Sequence, residues 1–248
     1  MSTITQPVAQ SNGATGELSQ WRDHTRVFLQ PIAAPSILGL FGFAVATFMV
    51  TAYLVGWYGT STSPSLIFPF ATAAGGIAQG VAAVWAYRAR DGLATAVHGI
   101  WAAFWLGYGL LNLLIALKVL PASAPQAAVP ELAFWFYPLA AVTLVAAFAS
   151  LAESVAISAV LFPLAVGAAL LGVFYTVGGG GWEKVGGYVT MASAFTAFYA
   201  ASAMMLASTA GRVILPMGKY GKAATDAGDR PAYPIPFELG EPGVKQGQ

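Results

Sequence analysis

The sequence predicts an all-α integral membrane protein with six transmembrane helices, and three observations support this fold class. Only 8% of the residues are charged and 57% are hydrophobic, whereas soluble domains usually contain about 25% charged residues. Six apolar runs of about 20 residues follow one another, and a helix needs this length to cross about 30 Å of hydrocarbon. The runs are continuously apolar rather than alternating, which favours helices over the strands of a closed barrel.

The predicted spans occupy the middle of the chain in close succession. They lie at about 37–57, 67–87, 95–118, 132–152, 154–177 and 186–208. Only Ala152 and Glu153 separate the fourth span from the fifth. The spans and their connections are expected to form one membrane domain over residues 35–218, because no connecting loop is long enough to fold alone.

Both tails are polar, and neither is expected to join the membrane domain. Residues 1–34 lack the apolar core of a cleaved signal peptide, so the first span itself is expected to direct membrane insertion. Within them, residues 17–30 fit either a short interfacial helix with Trp21 and Phe28 towards lipid or a solvated tail. Residues 219–248 are rich in Pro, Gly and charge, and are predicted to be a disordered cytoplasmic tail.

Lys and Arg residues predict which side of the membrane each connection occupies. With the N-terminus inside, nine fall on the cytoplasmic side and two, Lys118 and Lys184, fall outside. The nine are Arg22, Arg26, Arg88, Arg90, Arg212, Lys219, Lys222, Arg230 and Lys245. An even number of spans returns the C-terminus to the same side. Both termini are therefore predicted to be cytoplasmic, and the protein to be a multi-pass protein of the cell membrane.

The predicted second span contains "AAGGIAQGVAA" (73–83), in which glycines surround a glutamine. At helical spacing Gly76, Gln79 and Gly80 share one face, and small residues on a face let helices approach closely in lipid. The Gln79 amide would lack partners in lipid, so this face is expected to meet other helices or a water-filled path. Two interpretations stay open: an interhelical hydrogen bond that holds the bundle together, and a position on a transport pathway.

Small and aromatic residues also share faces in the first and third spans. Gly39 lies on the small-residue face of the first span, and Phe43 lies beside that face. His98 and Trp101 share one face of the third span. Aromatic side chains inside a bundle either pack against other helices or narrow a path so that a solute sheds water. His98 lies about one turn inside its span and is the near-membrane group able to titrate near neutral pH. A hydrogen-bonded residue at a helix end is the alternative for His98.

Missing residue types argue against several classes of function. The chain has no cysteine and two histidines, so no metal site or cofactor is predicted. No Asp, Glu, Lys or Arg lies in the central part of any span, so a relay of buried carboxylates is not expected. No nucleophile–base pair appears in the spans, so an enzyme is not expected. The net charge of +1 gives no signal for a nucleic-acid partner.

Four landmarks make the chain resemble the acetate/succinate transporter family, the six-span acetate uptake permeases of bacteria, archaea and fungi. They are "LGLFGFAVATF" (38–48), "GGIAQ" (75–79), "FWL" (104–106) and "GRVILPMG" (211–218), the last preceded by "GGYVTMASAFTAFYA" (186–200). The resemblance covers about 35–218. It implies transport of a small carboxylate, and homo-hexameric rings in which each subunit has its own path.

The chain departs from the family pattern at two places. The first-span signature Asn-Pro-Ala-Pro-Leu-Gly-Leu aligns with "APSILGL" (34–40), which keeps Pro35 and Gly39. The Asn is replaced by Ala34. The acidic residue that the family often has at the end of the second span is Ala86 here. We expect these changes to affect substrate affinity or choice rather than the fold.

The resemblance also implies a hydrophobic constriction halfway through each subunit, formed by the first, third and fifth spans. By position its residues are Phe43, Trp101 and Leu164, and Trp101 stands where the family commonly has tyrosine. Ala197 matches a small sixth-span position that the family associates with substrate choice. The residues expected to line the pathway or support the gate are Pro35, Gly39, Gln79 and Ala197.

A small monocarboxylate such as acetate, or succinate, is the expected solute. The spans offer no central cation to offset the cost of burying a carboxylate. Either backbone N–H groups near Pro35 hold the anion, or the proton travels on the solute and neutral acetic acid crosses the constriction. Proton-linked transport is favoured, with channel-like anion flow as its variant. The alternative from another class is a non-transporting membrane subunit or sensor that uses the helical ring for assembly, which a blocked constriction would favour.

Overall fold

The computed structural model describes residues 33–219, which lie within one compact unit. Within this range six helices are long and apolar enough to cross a membrane. They are Pro35–Leu54, Ser63–Ala89, Gly92–Ala116, Pro130–Ser150, Val155–Val177 and Gly180–Ala210. The predicted all-α fold with six spans is confirmed. The predictions for the two tails, including the interfacial helix at 17–30 and the disorder after 219, concern residues outside the described range.

The sixth helix differs most from its predicted bounds, because it begins at Gly180 rather than at 186. Its first turns carry Glu183 and Lys184, and charged residues near the ends of transmembrane helices lie level with the polar surface of the bilayer. A run of apolar residues therefore identifies the centre of this helix but not its start.

The second helix contains a segment that the sequence pattern does not reveal. It is α-helical over Ser63–Ala71, π-helical over Thr72–Ala78, and α-helical again over Gln79–Ala89. Pro69, just before the π-helical segment, lacks a backbone donor. The hydroxyl of Thr72 donates to a carbonyl one turn earlier, over 2.6 Å. π-Helical turns occur mostly as single insertions in α-helices and often lie at functional sites.

The six helices close into a ring. Each packs against its neighbours in the chain, and the first also packs against the sixth. The glycine-rich face of the second helix lies inside this packing. A side chain at Gly75 would overlap the ring of Trp105, and one at Gly76 would press on Leu106, both on the third helix. These glycines therefore let the second and third helices approach closely, as small residues do in membranes.

The segment after the sixth helix returns along the start of the fifth. Gly211 ends the sixth helix in a left-handed conformation, with a φ angle of 65°. The N–H of Val155 donates to the Gly218 carbonyl over 3.1 Å. The N–H of Ala156 donates to the Met217 carbonyl over 3.0 Å. These bonds satisfy two of the four or so N–H groups that a helix start leaves unpaired, so they hold the junction between the fourth and fifth helices.

Both ends of the described unit lie on the same side of the ring. Ser36, at the start of the first helix, and Glu153, between the fourth and fifth, line one cavity. The segment that follows the sixth helix contacts Val155, next to that cavity. This is the arrangement that an even number of spans produces. The cytoplasmic placement of the two ends stays a prediction.

Candidate functional site

The residues of the predicted constriction lie in one buried apolar cluster, and we call Phe43, Trp101 and Leu164 the neck. They come from the first, third and fifth helices, which alternate around the ring. The rings of Phe43 and Trp101 meet edge to face, with their centroids 5.7 Å apart. Ala197, on the sixth helix, belongs to the same cluster and is fully buried. The fold therefore brings together four residues that are far apart in the sequence.

The neck is closed to water in this structure. Phe43 and Trp101 are each 2% exposed, and Leu164 is 1% exposed. An edge-to-face aromatic pair contributes about 0.5–1.5 kcal/mol beyond its buried area, so the contact between Phe43 and Trp101 favours the closed arrangement. A solute that passes the neck has to separate these side chains and lose its own water.

Thr143 on the fourth helix fixes the Trp101 side chain, and no sequence pattern above singles it out. The indole Nε1–H of Trp101 donates to the Thr143 hydroxyl oxygen over 3.1 Å. That hydroxyl donates in turn to the Leu139 carbonyl over 2.7 Å. The one signal in the sequence is a hydroxyl residue inside the apolar run "LAAVTLVAAF" (139–148). Because Thr143 is 1% exposed, water does not compete for the indole N–H.

His98 and Gln79 meet in the buried interior between the third and second helices. His98 Nδ1 and Gln79 Nε2 are 3.4 Å apart, which is a long hydrogen bond. The two side chains are only 3% and 1% exposed. His98 also packs against the backbone of Gly39 on the first helix, where an added Cβ atom would overlap the imidazole ring. The predicted pathway residues Gly39 and Gln79 therefore both contact His98.

The Gln79 amide is only partly satisfied. Its Oε1 atom is buried and has no hydrogen-bond partner within residues 33–219. The oxygen and nitrogen of an amide are assigned from the surrounding bonds, and exchanging them here would leave the nitrogen unpaired instead. A buried unpaired polar atom costs about 1–3 kcal/mol. We therefore expect another polar group beside this amide.

A cavity opens where the first helix starts, and we call it the acidic mouth. Its polar lining is Ser36, Asp91, His98 and Glu153, and its apolar lining is Leu40, Leu93, Ala94, Val97, Ile157, Val160 and Leu161. Its volume is about 40 Å³. Asp91 Oδ1 accepts from the Ala94 N–H over 2.8 Å and so caps the third helix. Neither here nor elsewhere in residues 33–219 do three or more His, Asp or Glu side chains group as a metal site would require.

Glu153, which lies between the fourth and fifth helices, has a carboxyl group whose pKa is shifted by the mouth. Burial raises the pKa of Glu153 above its ordinary value, and the charge of Asp91 raises it further, while Lys219 opposes the shift. Desolvation and a like charge both disfavour the ionised form of a carboxyl group. The mouth can therefore keep a proton at a higher pH than an exposed glutamate can.

Pro35 begins the first helix on the same side of the ring as the mouth. It lies in the first turn, where its missing N–H has little cost, and the next residue, Ser36, lines the mouth. Ala34 precedes the helix without a side-chain cap, and the Ile37 N–H donates to the Ala34 carbonyl over 3.1 Å. This helix start therefore offers an anion fewer free N–H groups than a start without proline does.

Comparisons with known proteins bear on the family of the chain. The model of the GPR1/FUN34/yaaH family matches residues 17–219. An uncharacterised protein of Methanothermobacter thermautotrophicus is 30% identical over 198 residues, which are 79% of this chain and 96% of that protein. The succinate-acetate/proton symporter SatP of Escherichia coli (strain K12) is 26% identical over 188 residues, which are 76% of this chain and 96% of that protein.

A solved structure agrees with the fold described above. The bacterial acetate channel SatP matches with a TM-score of 0.67 and 26% identity, over 76% of this chain and 100% of that chain. The named relatives are a symporter and a channel rather than enzymes. With six membrane-capable helices, this chain is a multi-pass protein of the cell membrane, as predicted. The resemblance to acetate/succinate transporters is confirmed at the level of the family, and the chain belongs to the GPR1/FUN34/yaaH family.

Proposed function

We propose that this protein transports small monocarboxylates such as acetate, with succinate as a further candidate solute, along a path inside its ring of helices. The neck carries this proposal. Three apolar side chains from alternate helices lie in one buried cluster inside the ring and are closed to water. A chain with this neck shares 26% identity and a TM-score of 0.67 with the bacterial acetate channel SatP.

The described residues support proton-linked transport in which the solute carries the proton. The neck offers no charged side chain to a carboxylate, and a carboxylate buried without a partner costs several kcal/mol. Asp91 and Glu153 line the mouth and disfavour an anion but not a neutral acid, although Lys219 beside Glu153 offsets part of this effect. Neutral acetic acid therefore meets a lower barrier than acetate at both places. The relative named a succinate-acetate/proton symporter is consistent with this mode.

Channel-like flow of the anion is the variant, and the relative named an acetate channel favours it. In this variant, backbone N–H groups near Pro35 hold the carboxylate, although few of them are free there. A non-transporting membrane subunit or sensor is the alternative function, and the closed neck of this structure favours it. A transporter also closes its path between passages, so a transport measurement has to separate the two functions.

Further residues are proposed to support the pathway. Ala197 lies in the cluster that contains the neck and is fully buried, so a larger side chain at this position is expected to exclude larger solutes. Gly39 and Gln79 both contact His98 and so support the passage between mouth and neck. Pro35 starts the first helix beside the mouth.

The orientation and the assembly of the protein are proposed from its sequence and its family. The mouth is proposed to face the cytoplasm, because cytoplasmic connections are enriched in Lys and Arg. Arg88 lies in the last turn of the second helix, and Arg212 follows the sixth, both on the side of the mouth. The protein is further proposed to form a homo-hexamer in the membrane, with one path in each subunit. The mass of the complex in detergent tests this assembly.

Uptake of labelled acetate into liposomes that contain the purified protein tests the function. Uptake above that of empty liposomes, increased by an inward proton gradient, supports proton-linked transport. Uptake that does not depend on the proton gradient supports the anion channel. If acetate, propionate, lactate and succinate all fail to enter, transport is rejected and the subunit or sensor is favoured.

Trp101→Ala tests whether the solute passes the neck. Removing this side chain, which is 2% exposed, opens the neck, so we expect the uptake rate or the acetate-to-succinate ratio to change by about tenfold or more. Trp57→Ala is the matched control, because it removes the same side chain where it is 55% exposed and outside the neck. Equal uptake by both variants and the native protein would contradict a path through the neck.

A further inference from the structure

We propose that His98 and Gln79 form a binding site for the carboxyl group of a short monocarboxylic acid in its neutral form, between the acidic mouth and the neck. The inference rests on the proposed transport function and assigns the step that precedes passage through the neck. It also gives a physical reason for a preference for monocarboxylic over dicarboxylic acids.

His98 stands between the two parts of the proposed path. It lines the acidic mouth, whereas Trp101, three residues later on the same helix, belongs to the neck. Gly39 contacts the imidazole ring, and Phe43, four residues later on the first helix, is again a neck residue. Residues at these spacings lie on one face of a helix, about one turn apart. The imidazole is therefore about one turn from the neck on two helices.

The site contains a hydrogen-bonding group that is not used within residues 33–219. His98 Nδ1 and Gln79 Nε2 are 3.4 Å apart, so their bond is long and a shorter one can replace it. Gln79 Oε1 has no partner in the described range, although the residue is only 1% exposed. Native proteins leave few buried polar groups unpaired, and an unpaired one indicates an ordered water or a ligand.

A neutral carboxylic acid has the hydrogen-bonding groups that this pair requires. It offers one O–H donor, which suits Gln79 Oε1, and one carbonyl oxygen, which accepts from an imidazole N–H. When Gln79 Nε2 donates to His98 Nδ1, the amide oxygen is the free atom, and a carboxylate, which has acceptors only, would leave it unpaired. Asp91 and Glu153 in the same cavity add negative charge that disfavours the anion further, and Lys219 beside Glu153 offsets part of this charge. The site therefore favours the acid over its conjugate base.

The small volume and the apolar lining of the mouth favour a short solute with a single carboxyl group. Its volume is about 40 Å³, which is space for roughly three water molecules if each needs about 10–15 Å³. A carboxyl group at His98 places the rest of the solute against the apolar lining, which includes Leu40, Val97 and Leu161. A methyl group suits this lining, whereas a second carboxyl group would lose its water there. Acetate is therefore expected to be preferred over succinate.

His98→Phe tests the site by uptake, since phenylalanine keeps a planar ring but cannot form these hydrogen bonds. We expect the half-saturating concentration of acetate to rise about tenfold, the effect of losing one buried hydrogen bond, and the preference for acetate over succinate to fall. His98→Asn provides an amide in place of the ring nitrogens and is expected to recover part of the affinity. His24→Phe is the matched control, because His24 is the other histidine of the chain and the proposal gives it no role.

Nitrogen NMR of labelled histidine tests binding separately from transport. The chain has two histidines, so in full-length protein with His24→Gln, held in lipid nanodiscs, the ring signals come from His98. Acetate added at a pH low enough to populate acetic acid is expected to shift these signals and to saturate. The same concentration of sodium chloride is expected to leave the signals unshifted. If acetate does not shift the signals, or if chloride shifts them as much as acetate does, water alone occupies the site and the proposal is overturned.

The two measurements separate this inference from the proposed function. Uptake by the native protein with an unchanged half-saturating concentration in His98→Phe overturns the site and leaves transport standing. If the native protein takes up no acetate, the transport function fails, and the NMR titration decides whether the site binds the acid. If His98→Phe does not fold, the same titration decides, because it needs no change at His98. A saturable shift together with weaker uptake by His98→Phe supports the proposal.

Discussion

The acidic mouth and the neck lie about one helical turn apart, yet the lining of the mouth includes polar side chains, whereas the neck is formed by apolar ones. The mouth presents carboxyl groups and an imidazole to a cavity, whereas the neck buries three apolar side chains. The one side-chain heteroatom in the neck, Trp101 Nε1, already donates to Thr143. A carboxyl group therefore finds hydrogen-bond partners before the neck and none within it.

This difference indicates how the free-energy cost of dehydration is distributed along the path. A polar group that leaves water without a new partner costs about 2–7 kcal/mol. Partners in the mouth offset part of this cost while the solute loses its water, and the apolar neck then excludes ions and larger solutes. The arrangement requires an ordered imidazole in the mouth and a fixed indole in the neck. Gly39→Ala and Thr143→Val test these two requirements, and Glu153→Gln tests the charge of the mouth.

Gly39→Ala is expected to disrupt the mouth and to have the largest effect. The added Cβ atom would overlap the His98 imidazole, and overpacking of this kind costs about 1–3 kcal/mol. The ring then moves away from Gln79, its hydrogen-bond partner. We expect the initial rate of acetate uptake into liposomes to fall about tenfold or more, which corresponds to about 1.4 kcal/mol.

Gly107→Ala is the matched control for Gly39→Ala. It makes the same change within a helix and raises helix propensity equally, but an added Cβ atom at Gly107 has no neighbouring atom within 4 Å. We expect this variant to transport acetate as the native protein does. If Gly39→Ala and Gly107→Ala have the same uptake rate, the contact between Gly39 and His98 has no part in transport.

Thr143→Val is expected to loosen the neck while keeping its shape. Valine resembles threonine in shape but has no hydroxyl, so the buried Trp101 Nε1–H loses its acceptor. An unpaired buried donor costs about 1–3 kcal/mol, which corresponds to a fall of roughly 2–12 °C in melting temperature for a chain of this size. Because Trp101 is then less firmly held, we also expect more succinate uptake relative to acetate.

Thr143→Ser separates positioning of the indole from simple packing. Serine keeps the hydroxyl and loses only a methyl group, so it is expected to restore the native solute preference. Thermal unfolding and the acetate-to-succinate uptake ratio are measured on both variants. A lower melting temperature in Thr143→Val with an unchanged uptake ratio would show that the bond between Trp101 and Thr143 stabilises the fold without setting the width of the neck.

The contrast between mouth and neck also shows which features the sequence predicts. The six spans follow from hydropathy alone, because a helix must be apolar along about 30 Å to cross the bilayer. The positions of Phe43, Trp101 and Leu164 follow from the resemblance to a known family, and the structure brings them into one cluster. Thr143 could not be predicted in this way, since its bond joins residues 42 apart in the chain.

The acidic mouth could not be predicted from the sequence either. Asp91 and Glu153 look like ordinary charges at helix ends, and His98 like a single polar residue one turn inside a span. Only the closed ring brings the junction after the second helix beside the junction after the fourth. Periodicity shows which residues share a face of one helix, but a site built from several helices depends on how those faces pair.

Glu153→Gln is expected to have the smallest effect, and it shows how much charge the mouth tolerates. Burial and Asp91 raise the pKa of Glu153 from 4.5, so the folded state holds its proton more tightly than the unfolded state does. Stability therefore falls as the pH rises from about this value through the raised pKa. Glutamine does not titrate, so the variant is expected to unfold at a higher temperature than the native protein at about pH 8 and at nearly the same temperature at about pH 4.

The expected gain for Glu153→Gln is below about 1 kcal/mol, because this carboxyl group is partly exposed and solvent screens it. Asp91→Asn sharpens the measurement, since asparagine still caps a helix but removes the neighbouring charge. In the Asp91→Asn variant the pKa of Glu153 is raised less. The gain in stability from Glu153→Gln at high pH is therefore expected to be smaller. A gain that is equal at both pH values, or equal with and without the Asp91 charge, would mean that the mouth does not penalise a second negative charge. The neck alone would then disfavour the anion, because the anion loses its water there without gaining a partner.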